Sequence, residues 1–258
     1  ITAIALTSVL AGLESGVQRL SQINMTLAAL LLLFVIIVGP TLAIITGFGE
    51  NLVNYIANLP ALSNPVGRED LNFTQGWTSF YWAWWIAWSP FVGMFIARVS
   101  RGRTVREFLV SVLLVPSLAC VFWMSVFGNI AIEQVINGAQ DLVDADLSLK
   151  LFVMLEGLPW ASVTSFIGII LVIVFFVTSS DSGSLVIDTI SAGGKVEAPV
   201  PQRIFWCTFE GLVAIALILG GGLVALQAMA VSAGLPFTIV LLAACVAVIQ
   251  GLRSEPRI

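Results

Sequence analysis

Residues 76–106, GWTSFYWAWWIAWSPFVGMFIARVSRGRTVR, hold Trp77, Trp82, Trp84, Trp85 and Trp88, five of the eight tryptophans in the chain. Read as a helix, Trp77, Tyr81, Trp84, Trp88, Phe91 and Phe95 recur at steps of four and three and share one face. Trp82, Trp85 and Ser89 lie on the adjacent face, so two neighbouring faces are walled with π surface. Aromatic faces attract weakly hydrated cations, and quaternary ammonium groups are their usual ligands, so a solute with a trimethylammonium head is the expected occupant. Pro90 has no N–H, which leaves the carbonyl of Ile86 in mid-span expecting a neighbouring helix, a water or a ligand. The same spacing also serves plain packing or an interfacial belt. Belts sit at the two ends of a span, whereas these tryptophans run from one end to about its middle.

A second set of chemically capable residues interrupts an apolar run at FFVTSSDSGS, residues 175–184. Polar side chains inside a membrane are costly and mark a pathway or site by default. In a helix the hydroxyls of Thr178 and Ser179 lie beside the carbonyl of Phe175, and three neutral oxygens facing one point suit a hard cation such as sodium. Asp181 would anchor the helix end or bias that site electrostatically. Hydroxyls in membrane helices equally back-bond their own carbonyls or join helices together. Asp188 and Glu210 read as structural, the first near the cytoplasmic end of its span and the second paired with a neighbouring helix.

The elements that must position these residues are membrane spans. The chain has 258 residues, 59% of them hydrophobic and 10% charged, with mean hydropathy +1.03. Soluble domains carry charge on about a quarter of their residues, so this is an all-α integral membrane protein. The net charge of -4 says little about partners, because charge is sorted by side of the membrane, and no nucleic-acid partner is indicated. Cys120, Cys207 and Cys245 fall in apolar runs without CxxC spacing and read as small hydrophobes. Histidine is absent, which removes imidazole metal sites, histidine triads and histidine relays, and no clustered catalytic carboxylates suggest an enzyme. No cofactor is expected beyond the sodium ion that the hydroxyl cluster would suit.

In chain order, residues 1–13 are apolar but too short to cross the membrane, and the chain reads as the carboxy-terminal portion of a longer protein. Residues 14–21 form a polar connection, and 24–45 the first full span, with a kink at Gly39-Pro40. Residues 47–59 suit an interfacial helix, and 64–72 a polar loop. Spans follow at 77–97, 109–127, 161–180, 203–219 and 223–250. The acidic segment 128–159 reads as an extramembranous loop with a short helix, 191–202 as a loop, and Gly220-Gly221-Gly222 as a tight turn between the last two spans. This segmentation puts Arg19, Arg98, Arg101, Arg103, Arg106, Lys195, Arg203, Arg253 and Arg257 on one side, with Arg68 and Lys150 opposite. The positive-inside bias makes the first side cytoplasmic, carboxyl terminus included.

Residues 77–108, WTSFYWAWWIAWSPFVGMFIARVSRGRTVREF, closely resemble the hallmark of the betaine/choline/carnitine transporter family, and TSSDSGS at 178–184 is similar to its later serine-rich helix. The spacing, basic connection and following spans resemble the family over essentially the whole chain. Members have twelve spans around two inverted five-span repeats of the leucine-transporter type. The resemblance therefore implies that residues 76–258 are the second repeat and that 1–75 hold the end of the preceding region: a truncated span, one full span and the interfacial helix. It places Trp85 in an aromatic box around the trimethylammonium group, with Tyr81, Trp82, Trp84 and Trp88 on the substrate wall and Phe91 near one sodium site. It makes Phe175, Thr178 and Ser179 ligands of another sodium. It implies a homotrimer in the plasma membrane, in contact with lipid, that imports glycine betaine, choline or carnitine with sodium by alternating access. A sodium-independent exchanger or a transporter-like sensor of the same solutes is the alternative.

Overall fold

The computed structural model describes residues 1–11, 16, 18–64, 66–195 and 199–254, and the regular structure of those residues is helical. The order is α1 (Thr2–Ala11), α2 (Gln18–Val38), α3 (Thr41–Ser63), a π-helical turn (Asn72–Ser79), α4 (Phe80–Val99), α5 (Val105–Leu109), a second π segment (Val110–Leu114), α6 (Val115–Ile136), α7 (Gln140–Asp144), α8 (Lys150–Glu156), α9 (Ala161–Ser191) and α10 (Val200–Ser254). Among the described residues Gln18–Val38, Val105–Ile136, Ala161–Ser191 and Val200–Ser254 are long and apolar enough to cross a membrane. Four such segments make this a multi-pass membrane protein.

Two compact units divide the chain. The first comprises Gln18–Asn64 and Gly102–Thr178. Its core gathers Leu31 and Val35 of α2, Ile44 of α3, Val126, Phe127 and Ile130 of α6, and Leu142, Met154 and Leu155 of the short helices. The expected span over 24–45 stops early, because at Gly39-Pro40 the chain breaks rather than kinks. Pro40 cannot donate to the carbonyl of Ile36, and the hydroxyl of Thr41 does so instead at 2.7 Å. The residues after the break belong to α3, which is longer than the expected interfacial helix and is fixed to α6. Phe48 meets Phe122 edge-on at 5.2 Å, and the Asn51 amide donates to Ser125 at 3.3 Å and Asn129 at 3.2 Å. Thr104 and Glu107 cap α5 reciprocally, the Glu107 carboxylate accepting the Thr104 N–H at 2.9 Å. Helix α6 continues to Ile136, so the acidic segment is largely helical. The Gln134 amide ties α6 to the carbonyl of Met154 at 3.0 Å, and Lys150 donates to the carbonyl of Val143 at 2.9 Å.

The second unit comprises Ile1–Val17, Pro65–Arg101 and Ser179–Ile258. Helices α4 and α10 approach closely because the residues between them are small: a methyl group on Gly234 would come within 3.1–3.2 Å of Ala83. Phe91 and Phe237 seal the same contact at 5.4 Å. The expected tight turn inside α10 is present: Gly221 (φ -173°, ψ 18°) and Gly222 (φ 63°, ψ -148°) leave helical geometry and divide it into arms 200–220 and 223–254. Gly222 occupies a region that only glycine enters freely. Helix α9 does not end at residue 180; it carries the serine-rich stretch in its interior and reaches Ser191. The turn after it is described to Lys195, while 196–198 of the expected loop lie outside the described residues. So do most of the polar connection at 14–17, Pro65 and Arg257.

Candidate functional site

The aromatic wall forms as the spacing requires. Asp70 receives the N–H of Phe73 at 3.0 Å and starts the π turn, from which Trp77 stacks on Tyr81 with ring centres 5.8 Å apart. Tyr81 meets Trp84 at 5.6 Å, Phe80 stacks on Trp84 at 5.9 Å, and one turn further Trp88 meets Phe91 at 6.1 Å. Trp82 and Trp85 stand beside this ladder, 68% and 71% exposed, while Trp88 is 39% exposed. In this chain the indoles make an open wall with one face uncovered. Helix α4 runs unbroken through Pro90. The carbonyl of Ile86, expected to lack a partner, accepts the hydroxyl of Ser89 at 3.0 Å. Proline therefore creates no open acceptor for a ligand here, because the preceding side chain supplies the missing donor.

The oxygens on α9 fall in two places. Thr178 donates its hydroxyl to the carbonyl of Phe175 at 3.0 Å, the back-bonded geometry open to any membrane threonine. Ser179 is half-buried in the other unit's portion of α9.

The residues that follow build a polar seam that the spacing alone did not predict in full. Asp181, Ser184 and Asp188 recur on one stripe of α9, and Arg203, Cys207 and Glu210 on one stripe of α10. Glu210 accepts the hydroxyls of Ser184 at 3.0 Å and Ser180 at 3.4 Å. Asp188 accepts the Arg203 Nε–H at 3.1 Å, and the Gln202 amide donates to the Asp188 carbonyl at 3.0 Å. Both carboxylates expected to be structural are thus paired with a neighbouring helix. Asp181, fully buried, accepts the hydroxyl of Ser8 from α1. Asp181 therefore sits inside a helix and between helices, not at a helix end. The partnership with Ser8 was missed, since one serine in an apolar tail carries no sign of the carboxylate it will meet. Cys207 lies fully buried in the seam, as a small hydrophobe should.

A family model described as BCCT, betaine/carnitine/choline family transporter, matches residues 1–257. The chain is 70% identical over 259 residues to a protein of Vibrio parahaemolyticus named as a glycine betaine/proline/choline transporter, an alignment covering 100% of this chain and 47% of the relative. It is 54% identical over 263 residues to glycine betaine transporter 1 of the same organism, covering 99% of this chain and 50% of that one. With a glycine betaine transporter of Acinetobacter baylyi it shares 42% identity over 260 residues, 99% of this chain and 39% of the relative. The chain spans about half the length, or less, of these curated relatives.

Proposed function

We infer from one premise, that the chain belongs to the betaine/carnitine/choline family of transporters, that the protein containing it is a sodium-coupled importer of a quaternary ammonium solute. Glycine betaine and choline are the leading substrates, since both appear in the names of relatives, with carnitine a third possibility of the same chemistry. The observation that carries the reading is the stacked ladder of α4 with Trp82 and Trp85 uncovered beside it. An aromatic surface left open in a membrane helix suits a cation that sheds water easily. Trp85 holds the trimethylammonium head, Tyr81, Trp82, Trp84 and Trp88 extend the wall, and Phe91 braces it against Phe237.

Sodium bound through the carbonyl of Phe175 and the hydroxyls of Thr178 and Ser179 couples the cation gradient to solute movement by alternating access. Residues 76–258 act as the second inverted repeat and 1–75 as the connection to the first, within a homotrimer in the plasma membrane whose carboxyl terminus is cytoplasmic. No covalent chemistry is involved.

The test is uptake of labelled betaine and choline into vesicles reconstituted with the full-length protein. Sodium-driven accumulation is expected, with weaker substrate affinity in Trp85→Leu and lost sodium dependence in Thr178→Ala combined with Ser179→Ala. Unchanged affinity in the first variant defeats the aromatic site, and unchanged sodium dependence in the second defeats the coupling assignment. Exchange without sodium would instead favour the antiport alternative, and ligand binding without accumulation a sensor.

A further inference from the structure

The tip of the Trp88 indole reaches from α4 to α9. Where a β-carbon on Gly183 would stand, Cη2 of Trp88 lies 3.6 Å away, and the carboxylate oxygens of Glu210 lie 3.7 and 3.9 Å away. Cη2 is a rim atom at the far end of the indole. The rim of an aromatic ring carries partial positive charge and its face partial negative charge, so a rim atom beside a carboxylate is the favourable arrangement. A contact made at the rim leaves the π face for other partners, and Trp88 stays 39% exposed.

The backbone does not ask for glycine at this position. Residue 183 lies inside the helix that runs from Ala161 to Ser191, where glycine is less favourable than alanine. What matters is the size of the side chain. A methyl group would make only ordinary contacts, whereas each further carbon crowds the same indole and the same carboxylate. Glu210 is the less able to yield, since its Oε2 accepts the hydroxyls of both Ser184 and Ser180. Trp88 has Phe91 beside it at 6.1 Å and is open on another side, so the indole is the group that turns.

We infer that Gly183 is a positioning residue for solute binding: by carrying no side chain it lets α9 stop the tip of Trp88, and so sets the angle at which that indole presents its face to a trimethylammonium head. The inference rests on the reading of the α4 wall as the solute site. Gly183 touches no solute and acts through Trp88. The competing role is plain packing, because small residues let membrane helices approach one another. In that case the size of residue 183 governs stability, and any effect on binding is independent of the indole.

The experiment measures equilibrium binding of radiolabelled glycine betaine to the purified full-length protein, together with the unfolding temperature of each variant. The loss of affinity is expected to grow in the order Gly183→Ala, Gly183→Val, Gly183→Leu, reaching roughly three- to tenfold for leucine. Trp88→Phe keeps an aromatic ring but removes the tip that meets α9. In that background Gly183→Leu is expected to cause no further loss, because its effect passes through an atom that is gone. Gly183→Val carries the same comparison if the leucine variant does not fold. Wild-type affinity in the valine and leucine variants overturns the inference. A loss of equal size with Trp88 and with Trp88→Phe overturns it too and makes residue 183 a packing position. Trp85→Leu is measured alongside. Weakened binding there with no effect at residue 183 strikes the positioning role alone, whereas wild-type affinity in Trp85→Leu as well defeats the aromatic site itself.

Discussion

Helix α4 and the α9–α10 seam solve opposite problems. The seam buries charge and gives one oxygen of each carboxylate an internal partner, with Ser8, Ser180, Ser184 and Arg203 each aimed at a carboxylate. Helix α4 has no buried residue at all, and Trp82 and Trp85 are the most exposed of its large side chains. Structure held by internal partners is sensitive to losing one of them. A surface whose partner is a ligand or another part of the protein is insensitive in stability and sensitive in binding. Substitutions in the seam should therefore move the unfolding temperature, and substitutions on the wall should move affinity.

The sharpest way to break this contrast is Arg203→Ala. It strands Asp188, whose side chain is 3% exposed, without its guanidinium, and removing one partner of a buried pair costs about 3–5 kcal/mol. A large fall in unfolding temperature is expected for the detergent-solubilised full-length protein. Asp188→Leu combined with Arg203→Met should recover much of it, since an apolar pair of similar volume carries no stranded charge. If Arg203→Ala unfolds at the wild-type temperature, the seam is not what holds α9 to α10.

Much of this contrast could be read from residue types, and the reasons differ by region. The aromatic ladder was legible because a helix converts steps of three and four into one face regardless of its surroundings. The pairing of Asp188 and Glu210 was legible in kind, since a carboxylate in a span must find a partner, though not in identity. The break inside α10 followed from three consecutive glycines. Helix ends were less visible. Apolar residues continue past Gly39-Pro40, and only backbone geometry shows that the chain breaks there. Likewise 128–136 and 181–191 look polar enough to leave the membrane, yet Ser125, Asn129, Asp181 and Asp188 find partners that let the helices continue. Proline consequences were misjudged at residue 90 because the donor that replaces its N–H is a side chain one position away.

A smaller loss of stability is expected for Gly222→Ala. The residue has open space around it, so no clash is involved. The cost is the backbone alone, about 1–3 kcal/mol for a side chain held at φ 63°, ψ -148°. A fall in unfolding temperature without change in substrate affinity would place it with the seam residues. No fall would mean that the two arms of α10 can be joined by another turn.

On the wall, Trp85→Leu removes a ring that is 71% exposed. A cation over an indole is worth about 0.5–2 kcal/mol, so affinity for a trimethylammonium solute should weaken roughly 2- to 30-fold, with the unfolding temperature near that of the wild type. Equal losses in both measurements would show that Trp85 is packing after all and would erase the distinction between the two regions.

The smallest effect is expected at Ser89→Ala, and it tests whether the wall depends on its own helix for alignment. Ser89 supplies the hydrogen bond that the carbonyl of Ile86 loses to Pro90. Its removal forfeits about 0.5–1.5 kcal/mol if nothing replaces it, less if water reaches the carbonyl. In the other unit Thr41 performs the same repair for Pro40, on the carbonyl of Ile36, but there the chain has already left the helix. In α4 the bond lies between Trp85 and Trp88, where any opening of the helix would turn one indole relative to the other. Ser89→Ala should therefore weaken substrate affinity slightly more than it lowers the unfolding temperature. Ser89→Thr, which keeps the hydroxyl, should restore both. If alanine and threonine behave alike, the helix tolerates Pro90 without that bond, and the alignment of the indoles comes from Phe91, Phe237 and the Ala83–Gly234 contact instead.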